Sequence, residues 1–335
     1  MAGTTNATME HRAVPRLGRE LSVVGLGCWQ LGADWGDVPQ ERAVAILEAA
    51  ADAGVTFLDT ADVYGDGRSE RLVGAFVHEH ARDRFTVATK MGRRADPHTS
   101  AQFTPDNLRR WNDRSRELLG DDTLDLVQLH CPPTEVYHRD DVFDTLDEMV
   151  AEGRMRAYGV SVETVAEALA AIARPHVASV QIILNVFRRK PLEEVTGAGA
   201  EAGVGIIARV PLASGLLTGK FDETSTFADD DHRQFNRHGE AFDVGETFAG
   251  VPYEVGVQAA REFSAVDGPG TPAQRALRWI VDQPGVTTTI PGASSPDQAR
   301  ANAAAAALPP PTEEAARAYA DLYDRRIREH VHGRW

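Results

Sequence analysis

Eight short runs rich in apolar and β-branched residues punctuate the chain, and stretches of helical periodicity separate them. The runs fall at 23–27, 55–59, 85–90, 124–130, 155–160, 178–183, 204–209 and 286–290. Most are continuously apolar rather than alternating, which is the pattern of strands covered on both faces in a parallel sheet. Residues 39–54, 69–80, 105–120, 141–153 and 164–173 carry helical spacing between them, and the first and third end in glycine, a C-terminal cap. Eight β/α alternations without a linker predict an α/β fold, one (β/α)8 TIM barrel; a doubly wound sheet is the alternative.

The remaining segments attach to that frame. Residues 12–24, "RAVPRLGRELSVV", predict a β-hairpin turning at Leu17–Gly18 and placed at the barrel floor. An extra helix is expected after Pro311, to about residue 328, outside the barrel. Residues 1–12 read as a disordered N-terminus, 13–328 as one barrel domain and 329–335 as a tail. Residues 221–250 form a long polar segment, and such loops in compact domains are usually functional or disordered.

Composition narrows the function. The formal net charge of −15 argues against a nucleic-acid partner and against an anionic membrane surface. Cys28 and Cys131 make no disulfide framework and match no metal-ligand spacing. The start of the chain has no signal-peptide core and no apolar run is long enough to span a bilayer, so a cytoplasmic protein is expected. Among 35 basic residues only Lys90, Lys190 and Lys220 are lysine. A lysine kept where arginine serves elsewhere suits a site that needs a compact ammonium.

Barrel active sites lie at the carboxyl ends of the strands. The second run ends at Asp59, with Tyr64 five residues on; the third ends at Lys90 and the fourth at His130. Each residue alone has a structural explanation; three successive strand ends carrying ionisable groups point to chemistry. Asp59 and Lys90 on neighbouring strands can form an ion pair, and an ammonium beside a tyrosine favours the phenolate, lowering its pKa from about 10. Such a tyrosine can move a proton to or from an oxygen. Asp62 and Asp66 read as turn residues in a wet loop. Reducing a carbonyl also requires a hydride, which no side chain supplies. Residues 25–32, "GLGCWQLG", lack the spacing of a dinucleotide fingerprint. The Gly-rich segments "VPLASGLLTGK" 210–220 and "IPGASSPDQARAN" 290–302 follow strands seven and eight, where barrels commonly bind phosphate.

"FLDTADVYG", "ATK", "LVQLH", "GVS", "VPLASGLLTGK" and "IPGAS…Q…N", in this order from about residue 13 to 305, resemble the aldo-keto reductase family, in its bacterial and channel-β-subunit-like branch. The resemblance implies a catalytic tetrad: Tyr64 as general acid, Asp59 and Lys90 tuning it, and His130 orienting the carbonyl. It implies NADPH, with NADH also allowed, bound over the barrel mouth. Gly27, Cys28, Trp29 and Asp59 would lie near the nicotinamide, and Ser161 and Gln181 would hold its carboxamide. Arg209 stands where many members stack a tyrosine on the ring, and Val162 where the family often has asparagine. Val210, Pro211, Leu212, Ser214, Gly215, Leu217 and Lys220 would wrap the pyrophosphate. Gly292, Ser294, Gln298 and Asn302 would hold the adenosine end, which offers no basic residue at 292 or 293 for a 2′-phosphate. The implied reaction is reduction of an aldehyde, ketone or sugar carbonyl, a small-molecule substrate.

Three other readings compete. A metal hydrolase would need clustered ligands, whereas "HEH" 78–80 and "HVH" 330–332 read as solvated surface. A Schiff-base aldolase could use Lys90 as nucleophile. An NADPH-binding redox sensor or partner subunit would bind nucleotide with little turnover. The oligomeric state is left open by the sequence.

Overall fold

A computed structural model describes residues 9–32 and 38–335. The chain opens with an antiparallel hairpin, β1 (His11–Val14) and β2 (Arg19–Ser22), turning through Gly18 in the left-handed region at φ 67°. The expected disordered N-terminus falls mainly on residues 1–8, outside the described residues; the strand itself begins at His11. Eight parallel strands follow: β3 (Leu26–Gly27), β4 (Phe57–Asp59), β5 (Thr86–Met91), β6 (Leu124–His130), β7 (Met155–Ser161), β8 (Val177–Ile183), β9 (Gly205–Arg209) and β10 (Thr288–Thr289). Each pairs with its sequence neighbour, in the order β3 to β10. Parallel bridges Val24–Thr289 and Gly27–Gly292 join the first strand to the last and close the barrel. The eight strands coincide with the eight apolar runs.

Helices cross over between strands because each carries one apolar face and a defined start and stop. Pro105–Leu119 begins with Thr104 accepting from the Asn107 amide and with Pro105 in the first turn. It ends where Gly120 takes the left-handed conformation. Val165–Ile172 and Pro272–Val281 start in capping boxes, Thr164 with Glu167 and Thr271 with Gln274. Glu313–Leu322 runs through a π turn at Tyr323–Ile327 into Arg328–Val331, burying Tyr319, Leu322, Ile327 and Val331 outside the barrel. Residues expected to be a tail are docked: the Trp335 ring lies under the Arg188 guanidinium, and its Nε1 donates to Asp243.

The barrel interior separates into two levels. Phe57, Ala88, Leu126, Ala157, Ala178, Ile207 and Ile290 form one apolar cluster with Val14, Leu17 and Leu21 of the hairpin, which therefore plugs the floor. Two residues further along their strands come Asp59, Lys90, Gln128 and Arg209, all buried. Because side chains alternate faces with a period of two, the same inward rows deliver apolar groups to the floor and polar groups to the mouth.

Candidate active site

Lys90 is the hub of the mouth. Its Nζ donates to Asp59 Oδ1 at 2.5 Å, to the Thr60 carbonyl at 2.9 Å and to the Tyr64 hydroxyl at 3.3 Å. Lys90 and Asp59 are almost completely buried, so each charge is tolerable only because of the other. The second Asp59 oxygen accepts from Gln181 at 2.8 Å and Gln128 at 3.2 Å, which fixes the carboxylate's orientation. Burial pulls the Lys90 pKa down, but the charges of Asp59 and Tyr64 outweigh it, and the ammonium is retained. Tyr64 leaves the wall on the loop after β4, stacks at 6.0 Å on Trp29 and meets the His130 ring edge-on at 6.0 Å. The structure thus brings Asp59, Tyr64, Lys90 and His130 together at one end of the barrel.

Two expectations for this loop are corrected. Burial pushes the Tyr64 phenol above its ordinary value; Lys90 opposes that shift, and Asp59 reinforces it. Lys90 thus lowers the Tyr64 pKa only relative to what burial alone would give. Asp62 is not in a wet turn. It is fully buried, neither carboxylate oxygen has a protein partner among the described residues, and burial followed by the nearby Glu70 raises it to about 7. Asp66 is exposed and pairs with Arg94 and Arg114, as a turn residue would.

His130 is neutral, held well below its ordinary pKa by burial and then by Arg93 and Lys90. An Arg93 nitrogen stands 3.2 Å from His130 Nε2. A guanidinium only donates, so Nε2 accepts and the ring proton lies on Nδ1. The second terminal nitrogen of the Arg93 guanidinium donates to Glu246 at 2.9 Å. Arg209, at the end of β9, pairs with Glu163 at 2.9 Å and donates to the Val162 carbonyl at 3.1 Å. Ligand atoms of Cys131, Glu163 and Glu246 cluster within 4.8 Å, but Arg209 lies 2.9 to 3.7 Å from all three and supplies the positive charge itself.

The other sequence-predicted residues divide by position. Ser161 and Gln181 are register partners on β7 and β8, and Gln181 in turn pairs with Ile207, two residues before Arg209 on β9. Ser161 Oγ lies 3.4 Å from Cys131 Sγ. Gly27 and Trp29 line the rim, whereas the Cys28 side chain turns into the wall, its thiol against the Leu26 carbonyl and its pKa raised by burial. After β9 the backbone turns through Val210, Ala213, Ser214 and Gly215 at positive φ; for the first three this is a costly conformation of the kind found at ligand sites. Asn185 holds the Val210 carbonyl, and Pro211 is buried beside the half-buried Leu212. Leu217 is buried in the core with its amide on Leu212, and Lys220 is exposed without an ion pair among the described residues. After the neighbouring strand β10, Gln298 accepts from both the Ser294 amide and hydroxyl, and Asn302 donates to the Gly292 carbonyl. The Gln30 amide packs on Gly292, closer than any β-carbon there would allow.

Gln128, Arg93, Glu163 and Glu246 escaped the sequence reading. Gln128 had a signal, since it precedes His130 by two positions and must face the same way. Arg93 follows Lys90 by three residues, but its partner Glu246 lies 153 residues further on, in the polar 221–250 segment. That segment folds across the mouth through a short helix, His232–Phe235, and 3-10 turns at Val244–Glu246 and Phe248–Gly250. His232 and Phe242 pack against Trp29.

A closed parallel barrel with an aspartate, a tyrosine, a lysine and a histidine at its carboxyl end is an oxidoreductase scaffold, and the chain belongs to the aldo/keto reductase family, whose model matches residues 23–320. Aldo-keto reductase YhdN of Bacillus subtilis is 30% identical over 88% of this chain and 87% of its own length. Among solved structures, the glycerol dehydrogenase AKR11B4 from Gluconobacter oxydans is 27% identical with a TM-score of 0.76, covering 97% of each chain. An aldo-keto reductase from Klebsiella pneumoniae in complex with NADPH shares the fold at a TM-score of 0.67 and 24% identity, covering 95% of this chain and 99% of its own. No helix among the described residues is long and apolar enough to cross a membrane.

Proposed function

We propose that this chain reduces a small aldehyde, ketone or sugar carbonyl to the alcohol, with NADPH as the reductant, NADH also allowed, and Tyr64 as the proton donor. The observation that carries the reading is the buried chain Asp59–Lys90–Tyr64, in which the ammonium sits 2.5 Å from a carboxylate and 3.3 Å from the phenol. A raised pKa keeps Tyr64 protonated at neutral pH, as a donor must be, and Lys90 stabilises the phenolate left behind. Asp59, pinned by two glutamines, holds Lys90 in place. His130, neutral, orients the carbonyl oxygen. It does so from Nε2 once Arg93 is drawn away and the ring takes its other tautomer.

The residues at the mouth fit a nicotinamide dinucleotide. The Arg209 guanidinium offers a flat face whose buried Nε has no partner among the described residues. Ser161 and Gln181 lie in register with each other on β7 and β8. The positive-φ turn after β9 and the helix start at Pro296 stand where Gly-rich loops approach phosphates. The dinucleotide, when bound, supplies the hydride. The related glycerol dehydrogenase, by its name an alcohol–carbonyl enzyme, supports the reaction class.

The test is a panel of aldehydes, ketones and sugars followed at the reduced-nicotinamide absorbance band, with NADPH and with NADH. Turnover of at least one carbonyl is expected. Tight nucleotide binding without turnover of any would replace the reading with that of a sensor or partner subunit.

A further inference from the structure

The charges around Arg93 go beyond what proton transfer requires. One Arg93 nitrogen contacts His130 Nε2, and the other holds Glu246 Oε1 at 2.9 Å. The same Glu246 oxygen lies 3.7 Å from Arg209. The side chains of Arg209 and Glu246 are each only 9% exposed, so an unmatched charge here is unfavourable. Arg93 and Arg209 carry two positive charges; Glu163 lies 2.9 Å from Arg209, but burial raises its carboxyl to about 7, whereas Arg93 and Arg209 hold Glu246 down at about 2. The Lys90–Asp59 pair is neutral as a unit. Glu246 is the carboxylate that Arg93 holds, and it comes from a segment that reaches the mouth by folding across it and is fastened there by Ser214. The Ser214 hydroxyl donates to the Glu246 carbonyl and accepts from the Phe248 amide.

We infer that the Glu246 carboxylate stands in for a carboxylate of the substrate, and that Arg93 selects small oxo acids. The inference rests on the carbonyl-reduction reading and narrows its substrate class. An entering acid would replace Glu246 on Arg93, with its carbonyl between Tyr64 and His130. Arg93 touches His130 and Glu246 through adjacent nitrogens of one guanidinium, so the carboxylate lies only a few bonds from the carbonyl carbon. Drawing Arg93 toward the substrate carboxylate frees His130 Nε2 to face the carbonyl oxygen. A monoanion matches the one carboxylate it would displace from Arg93, whereas a phosphate dianion would add charge beside Glu163. In the reaction, the carbonyl carbon gains a hydride from reduced nicotinamide and the oxygen gains the Tyr64 proton, giving a hydroxy acid and oxidised nicotinamide.

The test compares succinic semialdehyde with butanal, which differ only in a carboxylate replacing a methyl group, using NADPH with the wild type, Arg93→Met and Glu246→Gln. The wild type is expected to favour the acid in kcat/KM by about 10–100-fold, the size of one charged hydrogen-bonded contact. Arg93→Met brings the ratio near one. Glu246→Gln, which removes the internal competitor, moves it the other way by lowering KM for the acid more than for butanal. A readout free of turnover is the binding of 4-hydroxybutyrate against 1-butanol, followed by tryptophan fluorescence. Binding of the hydroxy acid should weaken in Arg93→Met and tighten in Glu246→Gln. A wild-type ratio near one, or a ratio that neither variant moves, overturns the inference. If neither aldehyde is reduced, the carbonyl panel decides the carbonyl-reduction reading, and the hydroxybutyrate titration separately decides whether Arg93 selects a carboxylate.

Discussion

The floor and the mouth of this barrel are built from the same inward-facing rows, yet they do opposite work. At the floor, Phe57, Ala88, Leu126 and Ile207 meet Val14, Leu17 and Leu21 of the hairpin in an all-apolar cluster. Two residues along the same strands, Asp59, Lys90, Gln128 and Arg209 bury charge and amide groups instead. Apolar burial contributes roughly 25 cal/mol per Å² at the floor, whereas each buried ion at the mouth must be compensated by a partner. The floor therefore carries stability and tolerates no chemistry; the mouth carries chemistry at a cost in stability.

Substitutions at the two ends should separate these properties. The largest effect is expected from Lys90→Met. It leaves Asp59 buried without its cation, a loss of about 3–5 kcal/mol in unfolding free energy by denaturant titration. It also removes the charge that lowers the Tyr64 pKa. Alcohol oxidation needs the phenolate, so its activity rises with pH through the Tyr64 pKa, and in this variant that rise moves to higher pH. An unchanged oxidation profile would separate Lys90 from the proton donor. Leu21→Ala at the floor comes next, costing about 2–5 kcal/mol of stability, with kcat close to wild type. Loss of activity in the folded variant would show that floor and mouth are coupled.

Asp62→Asn has the smallest expected effect and the opposite sign. Burial raises the Asp62 carboxyl from 3.8 to about 7. A raised acid favours the folded state most below its unfolded pKa, and that contribution is lost as pH rises through about 7. Asparagine cannot ionise, so at pH 8 the variant should be more stable than wild type by on the order of 2 kcal/mol, and near pH 4 the gain should vanish. Thermal melts at both pH values check it; an equal change at the two values would remove ionisation as the cause.

Much of this architecture is legible in the sequence. Buried parallel strands announce themselves as continuous apolar runs, and a strand's last residue must face the mouth or the helices. That is why Asp59, Lys90 and His130 could be placed. The structure brings Tyr64 to within 3.3 Å of Lys90 but with its pKa raised rather than lowered, because proximity to a cation is readable from neighbouring strands and depth of burial is not. Asp62 looked like a turn residue for the same reason. Arg93 and Glu246 were illegible because their pairing depends on the path of an irregular segment, which has no period to read.

The central claim is that Tyr64 moves the proton while the mouth around it holds the nucleotide. The most direct measurement is Tyr64→Phe, assayed for carbonyl turnover and, separately, for NADPH binding through quenching of tryptophan fluorescence, with Trp29 stacked 6.0 Å from the altered ring. The expected result is nucleotide affinity near wild type and a fall in turnover of about 10²–10⁴-fold. Full turnover in Tyr64→Phe would contradict the assignment.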